Sequence, residues 1–174
     1  MTWSTVHRRG DVLRAVTRAA DERRDGVLPM DVIGVHETFG DELTLLAALQ
    51  LRWHTRLSGR IERALLDHPS DLERAVTNAW HATADELPGT RLVLDRYRAE
   101  PLDEAMAAAM ATSVAKERVL LAAMAGRAGE RTEDTVATGL AIEEQARAGY
   151  RWPPAPADRR GPGFLQRIRG HGAA

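Results

Sequence analysis

The sequence predicts an all-α protein: an up-down antiparallel bundle of about five helices, four of which form the core. Apolar residues recur at three- and four-residue spacing in five segments. Pro and Gly fall mostly between those segments, where they punctuate rather than interrupt. The connections around His68-Pro69 and around Gly129 are short, and short connections make neighbouring helices antiparallel.

The first helix is expected over 11–24, with Asp11 as N-cap and Val12, Val16 and Ala19 on one face. Residues 27–40 form a longer apolar connector that would cap one end of the bundle. A second helix is expected over 41–66 and a third over 70–87, the latter opened by Ser70 and Glu73 in a Ser-x-x-Glu capping box. Pro69, Pro88 and Pro101 act as breaks, which makes 88–100 a second connector. The fourth helix is expected over 102–128 and the fifth over 132–148, where Thr132 precedes Glu133 and Asp134, acids suited to a helix N-terminus.

Two regions follow: a helical bundle domain over 1–149 and a Pro/Gly/Arg-rich tail over 150–174, expected to be flexible and disordered. The two differ in charge. The tail segment 151–174 holds five arginines and one acid, net +4, and the remainder is net -5. Within 163–170, Phe164, Leu165 and Ile168 would share one side of a two-turn helix, with Arg167 and Arg169 on the other. That is the pattern of a tethered docking element.

Composition closes several function classes. The 174 residues include no cysteine, so disulfides, Cys-based zinc sites, thiol nucleophiles and iron–sulfur clusters are excluded. The longest apolar runs, 105–111 and 119–125, are far too short to cross a bilayer. The basic start is followed by Asp11 and no apolar segment, so no secretory signal is expected and the cytoplasm is the expected location. With 24 basic and 25 acidic residues, the balance argues against a dedicated nucleic-acid binder. No phosphate-binding loop, dinucleotide fingerprint or nucleophile elbow occurs. His36 and Glu37 begin a zinc-protease pattern, but Gly40 stands where its second histidine belongs.

What remains is a set of polar residues inside apolar stripes. Gln50 and His54 interrupt a seam of Leu43, Leu46, Leu57, Ile61 and Leu65; Glu117 interrupts one of Met106, Met110, Leu120 and Met124; Glu143 lies in line with Val136 and Leu140. Counted from the two short turns, His54, Thr83, Glu117 and Glu143 each lie 13 to 15 residues along their helices. At 1.5 Å per residue they would form one polar layer roughly 20 Å below the turns.

His54, Glu117 and Glu143 are therefore candidate ligands for a divalent transition metal such as Fe, Mn or Zn, with Gln50 and Thr83 supporting them. The idea is similar to that of ferritin-like carboxylate bundles. Those carry Glu-x-x-His pairs, whereas here Leu51 precedes His54 and Asn78 precedes His81, so no membership follows. The plainer expectation is that Glu143 pairs with Arg147 and Glu117 bonds His54 or Ser113, the layer fixing helix register.

Elsewhere, Trp53 and Trp80 are expected to stack, His81 and Asp85 to form a solvated pair, and Arg52, Arg56, Arg60 and Arg63 to make an outer ridge. The leading functional expectation is a non-enzymatic protein–protein interaction or scaffold protein, engaging a partner through the tail or by homo-oligomerisation. A metal-binding bundle with oxidative chemistry is the alternative. A third reading is an apolar small-ligand binder, its pocket closed by 27–40.

Overall fold

A computed structural model describes residues 3–152, residues 3–7 by backbone alone. Among the described residues there are seven helices and no strand: α1 (Trp3–Arg23), α2 (Val35–Phe39), α3 (Glu42–Asp67), α4 (Leu72–Glu86), α5 (Pro88–Ala99), α6 (Glu104–Met124) and α7 (Thr132–Gly149). The tail expectations, Phe164, Leu165, Arg167, Ile168 and Arg169 included, lie outside the described residues.

Aspartates start three of the longer helices. Asp41 accepts the Thr44 N–H at 2.7 Å, Asp71 that of Arg74 at 3.1 Å and Asp103 that of Met106 at 2.7 Å, each filling an otherwise orphaned donor of the first turn. Asp71 thus replaces Ser70 as the cap of α4, and Asp11 lies inside α1 rather than at its start. At the other end of α6, Gly126 takes the left-handed conformation at φ 70° and stops the helix short of the expected 128.

Two helical hairpins, α3/α4 and α6/α7, pack side by side through α4 against α7 and α3 against α6. Their shared interior holds Leu45, Leu49, Trp53, Leu57, Ile61, Val76, Trp80, Met106, Leu121 and Ile142. Trp53 and Trp80 meet edge to face with centroids 5.8 Å apart. In α7, Gly139 lets the backbones close: a Cβ there would lie 2.0 Å from the Arg118 carbonyl oxygen of α6.

Residues 88–100 are not a connector. Pro88 occupies the first turn of α5, where its missing N–H costs nothing, and Gly89 permits a tight crossing with α1, since a Cβ there would meet the Ala20 backbone at 2.1 Å. The Gly89 N–H is capped from outside its own helix by the Asp21 carboxylate at 2.8 Å. Pro88, which reads as a break, is thus a helix-starting residue, and α5 lies against α1, α3, α4 and α6. The connector 27–40 carries the short α2 and buries Leu28, Val35 and Phe39 in the core, so it is packing rather than a closure over a pocket.

Candidate functional site: a saturated charge layer and an arginine-flanked groove

The polar layer exists, and guanidinium groups organise it. Glu117 and Glu143 are each 3% exposed, and Arg91, contributed by α5, is 1% exposed. Arg91 Nη1 donates to Glu117 Oε1 at 3.3 Å, while Gln50 Nε2 donates to Glu117 Oε2 at 3.4 Å. Arg91 also donates to Asp95 Oδ1 from Nε and Nη2, at 3.0 and 2.6 Å, and its guanidinium sits 4.8 Å from the centroid of the Trp53 ring.

Asp95 passes the chain of charges to α7. Arg147 donates to Asp95 Oδ2 at 3.0 Å and Oδ1 at 2.7 Å, and its Nε reaches Glu143 Oε1 at 2.9 Å. Glu143 takes two further donors, Arg98 Nη1 at 2.7 Å on Oε1 and Arg118 Nε at 3.1 Å on Oε2. Three carboxylates therefore share four guanidiniums contributed by α5, α6 and α7. Such charge-assisted pairing is what makes buried carboxylates tolerable.

The electrostatics follow. Burial pushes the Asp95 carboxyl up, but Arg91 and Arg147 outweigh it and hold the group below its usual range. Burial likewise raises Glu143, and Arg147 and Arg98 bring it below its usual range. Asp21 goes the other way: burial pushes it up against the opposing Gly89 and Thr90 N–H groups and the charges of Arg24 and Arg52.

His54, Glu117 and Glu143 are not assembled as a ligand set. Among the described residues no three of His, Cys, Asp and Glu come together in a group that could hold a metal ion. Both carboxylates spend their oxygens on Arg or Gln donors, and the surrounding guanidiniums repel a cation. His54 is half-buried and makes no hydrogen bond among the described residues, and Thr83 donates to Ala79 O of its own helix at 2.7 Å. The expected Glu143–Arg147 pair is present, whereas Glu117 bonds Arg91 and Gln50 instead of His54 or Ser113.

His81 and Asp85 also part company. His81 Nε2 lies 2.7 Å from Ala146 O, and Asp85 accepts the Tyr150 hydroxyl at 2.8 Å.

The second feature is a groove of about 1290 Å³ along the outer face of α3, walled by the start of α1 and by α4. Its apolar lining includes Leu13, Leu43, Ala48, Leu51, Ala79 and Ala82. Arg9, Arg52, Arg56, Arg60 and Arg63 line it as well. Glu86 neutralises two of these, Arg56 at 2.9 Å and Arg60 at 2.6 Å. Arg52 has a buried Nε without a hydrogen-bond partner, and Arg63 makes neither a hydrogen bond nor an ion pair among the described residues.

The arginine ridge was legible in the sequence; the apolar strip that precedes it was not. Leu43, Ala47 and Leu51 recur at every fourth residue and were the available signal; Leu43 belongs to the main seam of α3, but Ala47 and Leu51 turn progressively off it. No member of 27–40 lines the groove, so the expected lid is absent from it. Among the described residues no helix is long and apolar enough to cross a membrane. Comparison with protein-family models, with curated proteins and with solved structures finds no match to this chain.

Proposed function

We propose that this chain is a non-enzymatic interaction module that engages a protein partner along the α3 groove. The observation that carries the reading is the groove itself: an apolar strip of Leu43, Ala47, Ala48 and Leu51, faced by Ala79 and Ala82 of α4, that among the described residues is left uncovered on a helix whose other face is fully buried, with Leu51 66% exposed. Exposed apolar surface bounded by charge is the usual mark of an interaction site. The charge layer supports the same reading, because its carboxylates are committed to internal arginines and so serve the fold. The basic segment 163–170 is a second docking element in this proposal; sharing the sign of the groove, it is not the groove's occupant.

A photo-crosslinking residue at position 51, compared with one at exposed position 137 on α7, tests the reading in cells making the full chain. Adducts formed at 51, absent at 137 and lost when Ala48→Glu is added, support it. Adducts of twice the chain mass would turn it into self-association, and equal adducts at both positions would overturn it.

A further inference from the structure

We infer that the α3 groove is built for an acidic amphipathic helix of a partner protein, an inference that rests on the groove being an interaction face. From Leu43 to Asp67 the lining residues recur along α3 in steps of four, a track about 36 Å long at 1.5 Å per residue that runs obliquely across the helix and has the length of six or seven helical turns. The volume of about 1290 Å³ also exceeds the range of roughly 300–1,000 Å³ typical of small-molecule pockets.

Charge selects the partner. Arg52, Arg56, Arg60 and Arg63 stand at spacings of four, four and three, so they form one ridge, which begins where the strip of Leu43, Ala47 and Leu51 ends and continues along α3. A helix whose apolar seam starts on that strip would carry its following turns along the ridge. Glutamates or aspartates there would meet Arg63, which holds no carboxylate within ion-pair distance among the described residues, and Arg52, whose charge acts on Asp21 only from beyond that distance.

The alternatives carry the wrong sign. The chain's own tail is net +4. A second copy docking the same face would bring two sets of Arg9, Arg52, Arg56, Arg60 and Arg63 into one interface with only Asp67 and Glu86 from each to offset them, an excess of like charge that opposes association. The ridge alone would also attract a phosphate backbone, but nucleic acid makes no use of the apolar strip that precedes it.

The test uses the full chain and three fluorescent probes in anisotropy titrations: a 24-residue amphipathic peptide with a leucine seam flanked by glutamates, the same seam flanked by lysines, and a 12-base-pair RNA duplex. The expected result is saturable binding of the acidic peptide, at least tenfold weaker on the double variant R52E/R63E and weakened by added salt. The lysine peptide should bind at least tenfold less tightly than the acidic one. Circular dichroism checks folding of the double variant, and Leu51→Arg provides a second variant at an exposed position.

Equal binding of both peptides, binding indifferent to R52E/R63E and L51R, or tighter binding of the duplex than of the acidic peptide would each overturn the inference. If the peptide fails while position-51 crosslinks persist, the chemistry of the partner is wrong but the interaction face stands. If the crosslinks fail too, both fall.

Discussion

Arg91 meets Glu117 across the contact of α5 with α6, Nη1 to Oε1 at 3.3 Å, with side-chain exposures of 2% and 4%. This contact ties a segment that reads as a connector to the centre of the bundle. Removing one member strands the other charge in the core, a change that costs about 3–5 kcal/mol, whereas replacing both partners by apolar groups is often close to neutral. Arg91→Met should therefore lower the urea midpoint strongly, and Arg91→Met with Glu117→Leu should recover most of the loss. Asp95 also loses a partner in both variants, so the recovery will be incomplete. A double variant no more stable than Arg91→Met would show that the Glu117 charge is not what the substitution strands.

The same arginines set the response to acid. Asp95 and Glu143 have folded-state carboxyls lowered from their ordinary values by Arg91, Arg147 and Arg98 against the raising effect of burial. Their stabilisation is complete above the unfolded carboxylate range, about 4, and is lost as pH falls through the lower folded values. Asp21, raised by burial, has the opposite sign, and its gain comes before that loss, between its raised value and the ordinary carboxylate range. Stability measured by urea unfolding should fall steeply below about pH 4. Glu143→Gln should flatten the slope, and Asp21→Asn should remove a gain in stability that comes at higher pH, as pH falls through the raised Asp21 value toward the ordinary carboxylate range. An unchanged slope in Glu143→Gln would remove Glu143 from the account.

The helices that carry a full apolar seam were legible from their period, even where the cap residue is a neighbour of the expected one: α3, α4, α6 and α7 all appear within a few residues of their expected bounds. Glu117 and Glu143 were also correctly placed in the interior, since the helical period turns a charge inside an apolar stripe toward the core along with its apolar neighbours. Their partners were not legible. Glu117 needed Arg91, whose helix was concealed by reading Pro88 as a break, and the Gly89 that follows makes sense only once α1 is in place beside it. A metal was the compensation that residue types alone could offer; guanidinium reaching in from another helix is a tertiary fact.

Two glycines in helices should respond in opposite directions to the same substitution. A Cβ at Gly139 would stand 2.0 Å from Arg118 O, so Gly139→Ala must push α6 and α7 apart, at a cost of about 1–3 kcal/mol or more. At Gly59 nothing lies within 4 Å of the added Cβ, and alanine there should stabilise α3 by about 0.5–1 kcal/mol. Thermal midpoints of the two variants check the sign directly. A neutral Gly139→Ala would show that the hairpin tolerates a wider spacing than its backbone contact implies.

Asp21 belongs to α1 but finishes α5, accepting the Gly89 N–H at 2.8 Å where Leu87, the residue at the cap position, offers no side-chain acceptor. An acceptor at a helix start is worth about 1 kcal/mol, so Asp21→Ala should destabilise by roughly that amount. Asp21→Asn keeps an oxygen for the N–H and sheds a carboxylate that burial disfavours, so it should cost less, and near neutral pH it should approach the parent protein. Hydrogen exchange locates the effect: faster exchange at Gly89 and through the first turn of α5 in Asp21→Ala, with α7 unchanged, is the expected pattern. Loss of protection spread evenly over all helices would mean that Asp21 supports the α1–α5 crossing as a whole and not the start of α5.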